Sequence, residues 1–328
     1  MEFSSYTCTL CGNNKENKTY MVKEMMFGTK EQFEYFECSE CGCLQLKDLP
    51  PDMTKYYPEN YGSFSLASFI NDFNRQNFLV HYLKKKRASY ALYHKSLIGW
   101  LTTLFKPVPE FLLWLQKCHA SFDSKILDAG CGIGTLLLMM YYSGFKNLTG
   151  IDPFIKADIA YPNGMTIHKK TLFQVDDTFD IIILNHSFEH MKEPLNALKQ
   201  IERLLNKDGY TLIRIPTVSS YAWQHYRTNW VQLDAPRHFY LHSLKSIEYL
   251  LSQTNLEIKE IYYDSTALQF WGSEQYLQDI PFRDGRSYLI NPSKSIFTEN
   301  DICTFTSQAD KLNTEKQGDQ VCIFLTRS

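Results

Sequence analysis

The sequence lacks an excess of charge, a long apolar run and a recognisable secretory signal. Its 34 basic and 36 acidic side chains give a formal net charge of -2, which argues against broad nucleic-acid binding because that needs a clearly basic face. The opening MEFSSYTC has no basic segment followed by an apolar core. The most apolar stretch, 96–115, is interrupted by Lys106, Pro107 and Pro109. We therefore expect a cytoplasmic protein with no transmembrane segment.

Cysteines are grouped near the start of the chain. CTLCG at 8–12 and CSECGC at 38–43 each place two cysteines one tight turn apart, followed by a glycine that can take the positive φ of such a turn. Two such pairs predict a tetrahedral four-sulfur site of the kind that holds structural zinc. Cys43 is left over, and could replace Cys41 if the second turn is distorted. The predicted metal ligands are Cys8, Cys11, Cys38 and Cys41.

The first 120 residues are predicted to have two sections. Residues 1–50 would form a zinc ribbon, with short strands in YMVKEM and FEYFECSE. Residues 51–120 would form a linker rich in proline and tyrosine, followed by a helical cap. The basic run KKKR at 84–87 is typical of a solvated helix face. The alternative is that this run and the apolar residues around Trp100 and Trp114 contact a membrane surface.

A glycine-rich turn follows a short apolar strand in KILDAGCGIGT, residues 125–135. The dinucleotide fingerprint needs a third glycine where Thr135 stands, and a P-loop needs a lysine that is absent here. Asp128 would repel a pyrophosphate, but it suits a ligand that carries an ammonium and a sulfonium. Asp152 ends the next apolar strand and is placed to accept hydrogen bonds from two ribose hydroxyls. The predicted ligand is S-adenosylmethionine.

Two further motifs extend this pattern. FDIIILNHSFEHMKEP at 179–194 and LLNKDGYTLIRIP at 204–216 follow in an order that resembles class I S-adenosylmethionine-dependent methyltransferases. With the cysteine ribbon before them and NWVQLDAPRHFYLHS (229–243) behind, the chain resembles a narrower group. This group comprises zinc-ribbon methyltransferases of bacterial sugar and surface-polysaccharide biosynthesis.

The resemblance implies an α/β fold. It would be a Rossmann-like, doubly wound sheet of seven strands, parallel except for the last, with helices on both faces. LEIKEIYYDS (256–265) would be the sixth strand and GDQVCIFLTRS (318–328) the antiparallel seventh. The methyltransferase domain would cover 121–328 and contain an acceptor-binding insertion at 217–245.

The resemblance also implies a set of cofactor contacts. The first acid and the loop glycines would surround the methionine part, and the second acid would bind the ribose, with the following proline beside adenine. Thr171 and Leu172 stand where many relatives have an acid that meets the adenine amine, and Asn185 would face the cofactor. The implied cofactor-binding residues are Asp128, Gly130, Gly132, Gly134, Asp152, Pro153, Thr171, Leu172 and Asn185.

LNHSFEH at 184–190 lies at the carboxyl end of a strand, where open α/β sheets bind their ligands. The sulfonium is already a good electrophile, so in-line placement of the acceptor matters most. A hydroxyl or carbon acceptor also benefits from a base, and His190 is a candidate with Glu189 orienting it or the ligand. The alternative is that His190 caps the following helix and Glu189 pairs with a neighbour.

DAPRH at 234–238 is the second candidate, in the segment predicted to bind the acceptor. Trp230 would form an apolar wall, Arg237 would bind a phosphate or carboxylate, and His238 would be the base. In the alternative, Arg237 forms a salt bridge with Asp234 and His238 packs beneath it.

These predictions favour methyl transfer to a hydroxyl or carbon of a small molecule, with a nucleotide sugar or glycan intermediate as the acceptor. One alternative is an RNA methyltransferase, which the slightly acidic charge balance and the absence of Asn-Pro-Pro-Tyr after the fourth strand disfavour. A second alternative is a cofactor-binding module without catalysis, whose ribbon binds a partner.

Overall fold

The computed structural model describes residues 3–4, 6–57 and 78–328. The end of the predicted linker and the start of the predicted helical cap, 58–77, lie outside the described residues. The strands of the described part are β1 (Phe3–Ser4), β2 (Asn17–Lys23), β3 (Gln32–Glu37), β4 (Leu44–Leu46), β5 (Lys125–Ala129), β6 (Asn147–Ile151), β7 (Ile159–Ala160), β8 (Thr166–His168), β9 (Phe179–Asn185), β10 (Leu205–Pro216), β11 (Tyr240–Leu241), β12 (Leu256–Tyr263) and β13 (Gln320–Arg327).

The α-helices of the same residues are α1 (Phe78–Tyr93), α2 (Leu97–Thr103), α3 (Glu110–Lys117), α4 (Thr135–Ser143), α5 (Pro194–Leu204), α6 (Tyr221–Tyr226), α7 (Leu244–Leu251), α8 (Leu268–Leu277) and α9 (Glu299–Thr314). Single turns of 3-10 helix occur at Thr54–Tyr56, Leu172–Gln174, Phe188–His190, Arg227–Asn229, Val231–Leu233 and Pro292–Lys294.

The larger sheet has the strand order β12-β13-β10-β9-β5-β6-β8-β7. Its strands β6, β5, β9 and β10 are parallel neighbours, and β13 runs antiparallel to both β10 and β12, as the sequence implied. The sheet has eight strands rather than the seven expected, because the two residues of β7 add an antiparallel edge strand beside β8. The fold is therefore a Rossmann-like α/β fold with a mixed central sheet.

Strand β9 shows why this sheet has helices on both faces. Its apolar run FDIIILN alternates between two hydrophobic clusters, as expected for a strand buried on both sides. Ile182 and Leu184 pack with residues of α5, whereas Ile181 and Ile183 pack with residues of α3 and α4. Because β5, β6 and β9 run parallel to one another, their carboxyl ends meet at one edge of the sheet.

A second sheet, of order β1-β2-β3-β4-β11, combines strands of the cysteine-rich region with a strand from much later in the chain. Strand β11 belongs to the predicted acceptor-binding insertion, yet it pairs antiparallel with β4, Tyr240 opposite Gln45 and Leu241 opposite Leu44. The hydroxyl of Tyr35 on β3 also donates to the carbonyl of His238 at 2.8 Å. The cysteine-rich sheet is thus built directly onto residues 217–245.

Helices α1 and α3 lie over one face of the larger sheet, whereas α2 packs against α1. Ala88 and Ala91 of α1 and Trp114 of α3 lie in the cluster beneath them, and the Arg214 guanidinium lies over the Trp114 ring at 5.1 Å. Trp114 is therefore a core residue and is not free for the membrane contact considered above, whereas Trp100 on α2 is 41% exposed. None of the described helices has the length and apolar character needed to cross a bilayer.

Candidate active site

The glycine-rich turn brings the backbone close to the end of β9. The amides of Gly130 and Cys131 both donate to the carbonyl of Ile151 on β6, at 2.8 and 3.1 Å. Gly130 has φ +83°, and a Cβ on it would lie only 2.4 Å from Cβ of Ser187. Glycine is needed there both for its backbone conformation and for its size. The turn leads into α4, which begins at Thr135.

Asp152 and Asp128 lie side by side beneath this turn. The Asp152 carboxylate accepts hydrogen bonds from the amides of Gly132 and Phe154, at 2.9 and 2.8 Å, and is 5% exposed. Burial and the charge of Asp152 raise the pKa of Asp128 to about 7. A cation bound nearby would stabilise both carboxylates, so the pair suits a positively charged ligand.

A cavity of about 520 Å³ opens at this edge of the sheet. Five predicted cofactor residues contribute to its walls: Gly130, Asp152, Pro153, Thr171 and Leu172. Its volume is in the range of small-molecule and cofactor sites. Three features fit an adenosine-containing cation such as S-adenosylmethionine: the glycine turn, an acid placed to bind a ribose, and an apolar strand end.

The other predicted cofactor residues are placed behind this wall. Asp128 on β5 and Gly132 and Gly134 of the turn are not among the described lining residues of the cavity. A Cβ on Gly134 would lie 2.5 Å from Cδ1 of Ile167, so this glycine serves packing of the turn against β8. Asn185 was expected to face the cofactor, but its side-chain oxygen accepts from Arg214 at 3.1 Å, and the next residue, His186, lines the cavity instead.

Several cavity residues were missed by the sequence analysis. Met53 and Tyr57 come from the segment after the cysteine-rich sheet, and the Tyr57 ring stacks on Phe154 at 5.4 Å between centroids. Phe154 directly follows Asp152 and Pro153 in the chain. This position was the one feature of the sequence that could have indicated a place in the cavity wall. The additional lining residues are Met53, Tyr57, Ala129, Ile151, Phe154, Lys170, Phe173, His186, Ser187, Met191, Lys192, Glu193 and Phe239.

Glu189, His190 and His238 come together at the inner side of this cavity. Nδ1 of His190 lies 2.7 Å from the carbonyl of Arg237, and Nδ1 of His238 lies 2.8 Å from the carbonyl of Gln232. The two rings meet edge to face, 4.8 Å apart. His190 does not cap α5, which begins at Pro194. The structure therefore unites the two candidate segments that the sequence offered separately.

The electrostatics of this cluster leave Glu189 charged and His238 neutral. Burial lowers the pKa of His238 to about 4, so its ring is neutral at pH 7. Burial alone would raise the pKa of Glu189, but His186 at 3.5 Å and the two other histidines reverse this and lower it to about 2. A neutral imidazole next to a carboxylate can accept a proton and be stabilised as the cation.

Arg237 and Trp230 are corrected by the structure, because both side chains are fully buried. The Arg237 guanidinium donates to Asp234 at 2.6 Å, to Glu24 at 2.8 Å and to the Tyr56 carbonyl at 3.2 Å. It therefore forms the salt bridge of the alternative interpretation rather than a phosphate site. The Trp230 indole donates to Asp319 at 2.9 Å and packs in the core, not against the cavity.

The four predicted metal ligands also meet. One sulfur atom from each of Cys8, Cys11, Cys38 and Cys41 lies within 4.8 Å of the others. The Cys8–Cys41 and Cys11–Cys38 pairs are 3.6 and 3.5 Å apart, close to the roughly 3.8 Å separation of sulfurs around a tetrahedral zinc ion. The residues fit zinc, and Cys43, whose thiol is directed toward the Leu44 carbonyl, is outside the cluster.

Comparison with known proteins agrees with this geometry. A family model described as a methyltransferase domain matches residues 85–261, more than half of the chain. The chain therefore belongs to this methyltransferase-domain family, and it contains the domain of an S-adenosylmethionine-dependent methyltransferase, the enzyme class that the sequence predicted.

Individual relatives are more distant. The ubiquinone biosynthesis O-methyltransferase of Haemophilus ducreyi is 32% identical over 32% of this chain and 52% of its own length. The tRNA U34 carboxymethyltransferase of Sulfurimonas denitrificans is 28% identical over 30% of this chain and 37% of its own. The chain thus spans about half, or less, of the curated relatives it matches. The cyclopropane synthase MmaA2 of Mycobacterium tuberculosis has a TM-score of 0.44 and 13% identity, covering 80% of this chain and 99% of its own.

The buried position of Arg237 predicts a structural role. Replacing Arg237 by Ala would leave the carboxylates of Asp234 and Glu24 buried without their cation, so we expect the free energy of unfolding to fall by about 3–5 kcal/mol. Urea unfolding measures this change. The control is Arg286→Ala, which removes an exposed pair with Asp284 and is expected to change the free energy of unfolding much less. Equal effects of the two substitutions would contradict the structural role.

Proposed function

We propose that the chain transfers a methyl group from S-adenosylmethionine to a hydroxyl or carbon of a small-molecule acceptor. The observation that carries this proposal is the Asp152 carboxylate, fixed by two backbone amides at the end of β6, in the wall of a cavity that also includes Gly130. A buried acid in that position, next to a glycine turn, is the arrangement that binds the ribose of nucleoside cofactors in open α/β sheets.

Each part of the site has a role in this proposal. Asp128 and the loop glycines would hold the methionine end of S-adenosylmethionine, and Asp152, Pro153, Thr171 and Leu172 its adenosine; the cofactor supplies an activated methyl group. His190 or His238 would remove the proton of the acceptor through Nε2, because Nδ1 of each ring faces a carbonyl. Glu189 would stabilise the imidazolium that forms.

The walls of the cavity support an acceptor that is partly apolar and partly anionic. Tyr57, Phe154 and Phe239 give it aromatic surfaces, whereas Lys170 and Lys192 are exposed in the same lining. Two ammonium groups beside aromatic walls suit a ligand with a phosphate and a ring, so a nucleotide sugar or related glycan intermediate remains the proposed acceptor class. The sugar part rests on the resemblance found in the sequence.

Other functions make different predictions. One curated relative acts on tRNA by name, and an RNA acceptor would require salt-dependent RNA binding by this chain. A module without catalysis would bind the cofactor but transfer no methyl group. A cytoplasmic location and a structural zinc ion in the cluster of Cys8, Cys11, Cys38 and Cys41 complete the proposal; the second is supported by the sulfur geometry described above.

The cofactor prediction is tested by calorimetric titration with S-adenosylmethionine and, separately, with NAD. We expect binding of S-adenosylmethionine alone, weakened at least about tenfold in Asp152→Ala because the ribose acceptor is lost. The control Asp158→Ala removes an exposed acid near the same sheet edge and should bind normally. Failure of the wild type to bind S-adenosylmethionine would refute the proposed function.

The base is tested by replacing His190 and His238 singly by Ala and assaying methyl transfer to a panel of nucleotide sugars. We expect turnover to fall by about 10²–10⁴-fold in at least one variant, with cofactor affinity unchanged, because proton transfer contributes on that order. His225→Ala, on the exposed side of α6, is the matched control. Wild-type turnover in both variants would show that neither histidine is the base.

The zinc site is tested by comparing Cys11→Ser with Cys43→Ser. Cys11 is in the four-sulfur cluster and Cys43 is outside it, although both lie in the same sheet. We expect Cys11→Ser to lose one equivalent of zinc per chain by mass spectrometry and to unfold at a lower temperature, because structural zinc contributes directly to folding. Cys43→Ser should keep the wild-type zinc content; loss of zinc in Cys43→Ser alone would contradict this assignment.

A further inference from the structure

We propose that Glu189, His190 and His238 form a second metal site, which holds a divalent transition-metal ion beside the cofactor cavity. One ligand atom from each of these residues lies within 4.8 Å of the others, and Nε2 of His238 is 3.8 Å from Oε1 of Glu189. Ligands of one tetrahedral ion are about 3.4 Å apart, so the three side chains need to close by about an ångström. The binding of the ion is independent of the proposed function; its part in methyl transfer rests on that function.

The hydrogen bonds of the two histidines prepare them as ligands. A carbonyl oxygen only accepts hydrogen bonds, so Nδ1 of His190 must carry the proton that faces Arg237 O, and Nδ1 of His238 the proton that faces Gln232 O. In the neutral form of such a ring, Nε2 carries the lone pair that a metal ion binds. Metal-bound histidines are held in this way, with the second nitrogen donating to a carbonyl or a carboxylate.

The surroundings of the Glu189 carboxylate support the metal site independently. Its side chain is fully buried, and neither carboxylate oxygen has a hydrogen-bond partner among the described residues; the nearest nitrogen, Nδ1 of His186, is 3.5 Å from Oε1. A buried carboxylate without hydrogen bonds is costly, because nothing replaces the water it loses. A metal ion would supply the missing contact and neutralise the charge.

The donor set indicates the class of ion. Two imidazole nitrogens and one carboxylate oxygen favour zinc, manganese or iron over magnesium or calcium, which prefer oxygen ligands alone. Three protein ligands leave at least one position open, unlike the four-cysteine cluster. His190 lines the cavity, so that open position would lie where an oxygen of the acceptor can bind.

The test uses Mn²⁺, because it binds thiolates weakly and leaves a zinc-filled cysteine cluster undisturbed. Protein that holds one zinc ion per chain, the amount the cysteine cluster takes, is titrated with Mn²⁺, so that the second site is not already filled by zinc, and the electron paramagnetic resonance signal of free Mn²⁺ is recorded. We expect one Mn²⁺ per chain in the wild type, and at least about tenfold weaker binding in His190→Gln and Glu189→Gln. His190 is only half-buried, so His190→Gln remains informative if Glu189→Gln does not fold. His225→Gln, on the exposed side of α6, is the control and should bind Mn²⁺ as the wild type does.

Two results would overturn the proposal: no Mn²⁺ binding by wild-type protein, or equal binding by the wild type and both folded variants. Titration of the same samples with S-adenosylmethionine separates this proposal from the proposed function. Cofactor binding without Mn²⁺ binding would remove only the metal site and leave the histidines as the base. Mn²⁺ binding without cofactor binding would remove only the methyltransferase assignment.

Discussion

The site depends on one buried ionic contact between two distant parts of the chain. Glu24, after strand β2 of the cysteine-rich sheet, and Asp234, in the segment before β11, share the guanidinium of Arg237, and all three side chains are buried. Breaking such a pair leaves an uncompensated charge in the interior, so the contact holds the two parts together in one arrangement. The carbonyls of Gln232 and Arg237 lie in that same segment, and they orient the two histidines of the candidate site. The cysteine-rich sheet therefore helps to fix the segment that orients the two histidines of the candidate site.

The sequence was sufficient for the features that depend on local pattern. The apolar run of β9, the glycine turn at Gly130 and the acid at the end of β6 each have a backbone or burial requirement that few residue types meet. The four cysteines were predicted for the same reason, since two tight turns with paired thiols have few other uses. The resemblance supplied the parallel sheet and the antiparallel direction of β13, while the two-residue strand β7 was too short to leave a periodic signal.

The features that depend on tertiary packing could not be predicted in this way. A lone arginine beside an aspartate reads equally as an anion site or a buried salt bridge, and the deciding partner, Glu24, is more than two hundred residues away in the chain. Tyr57 enters the cavity from the segment after the cysteine-rich sheet, and the pairing of β11 with β4 depends on contacts between segments far apart in sequence. The convergence of His190 and His238 on Glu189 was hidden because each residue had a separate local interpretation.

The central claim is that Nε2 of His190 and Nε2 of His238 each carry a lone pair, because either role of this cluster, base or metal ligand, uses it. Nitrogen-15 NMR of histidine-labelled protein at neutral pH tests it most directly, with His190→Gln and His238→Gln used to assign the two rings. We expect Nδ1 of each ring to carry a proton, as the carbonyls of Arg237 and Gln232 require, and Nε2 to carry none, as either role of the cluster requires. A proton on Nε2 of both rings, or two positively charged rings, would contradict the account.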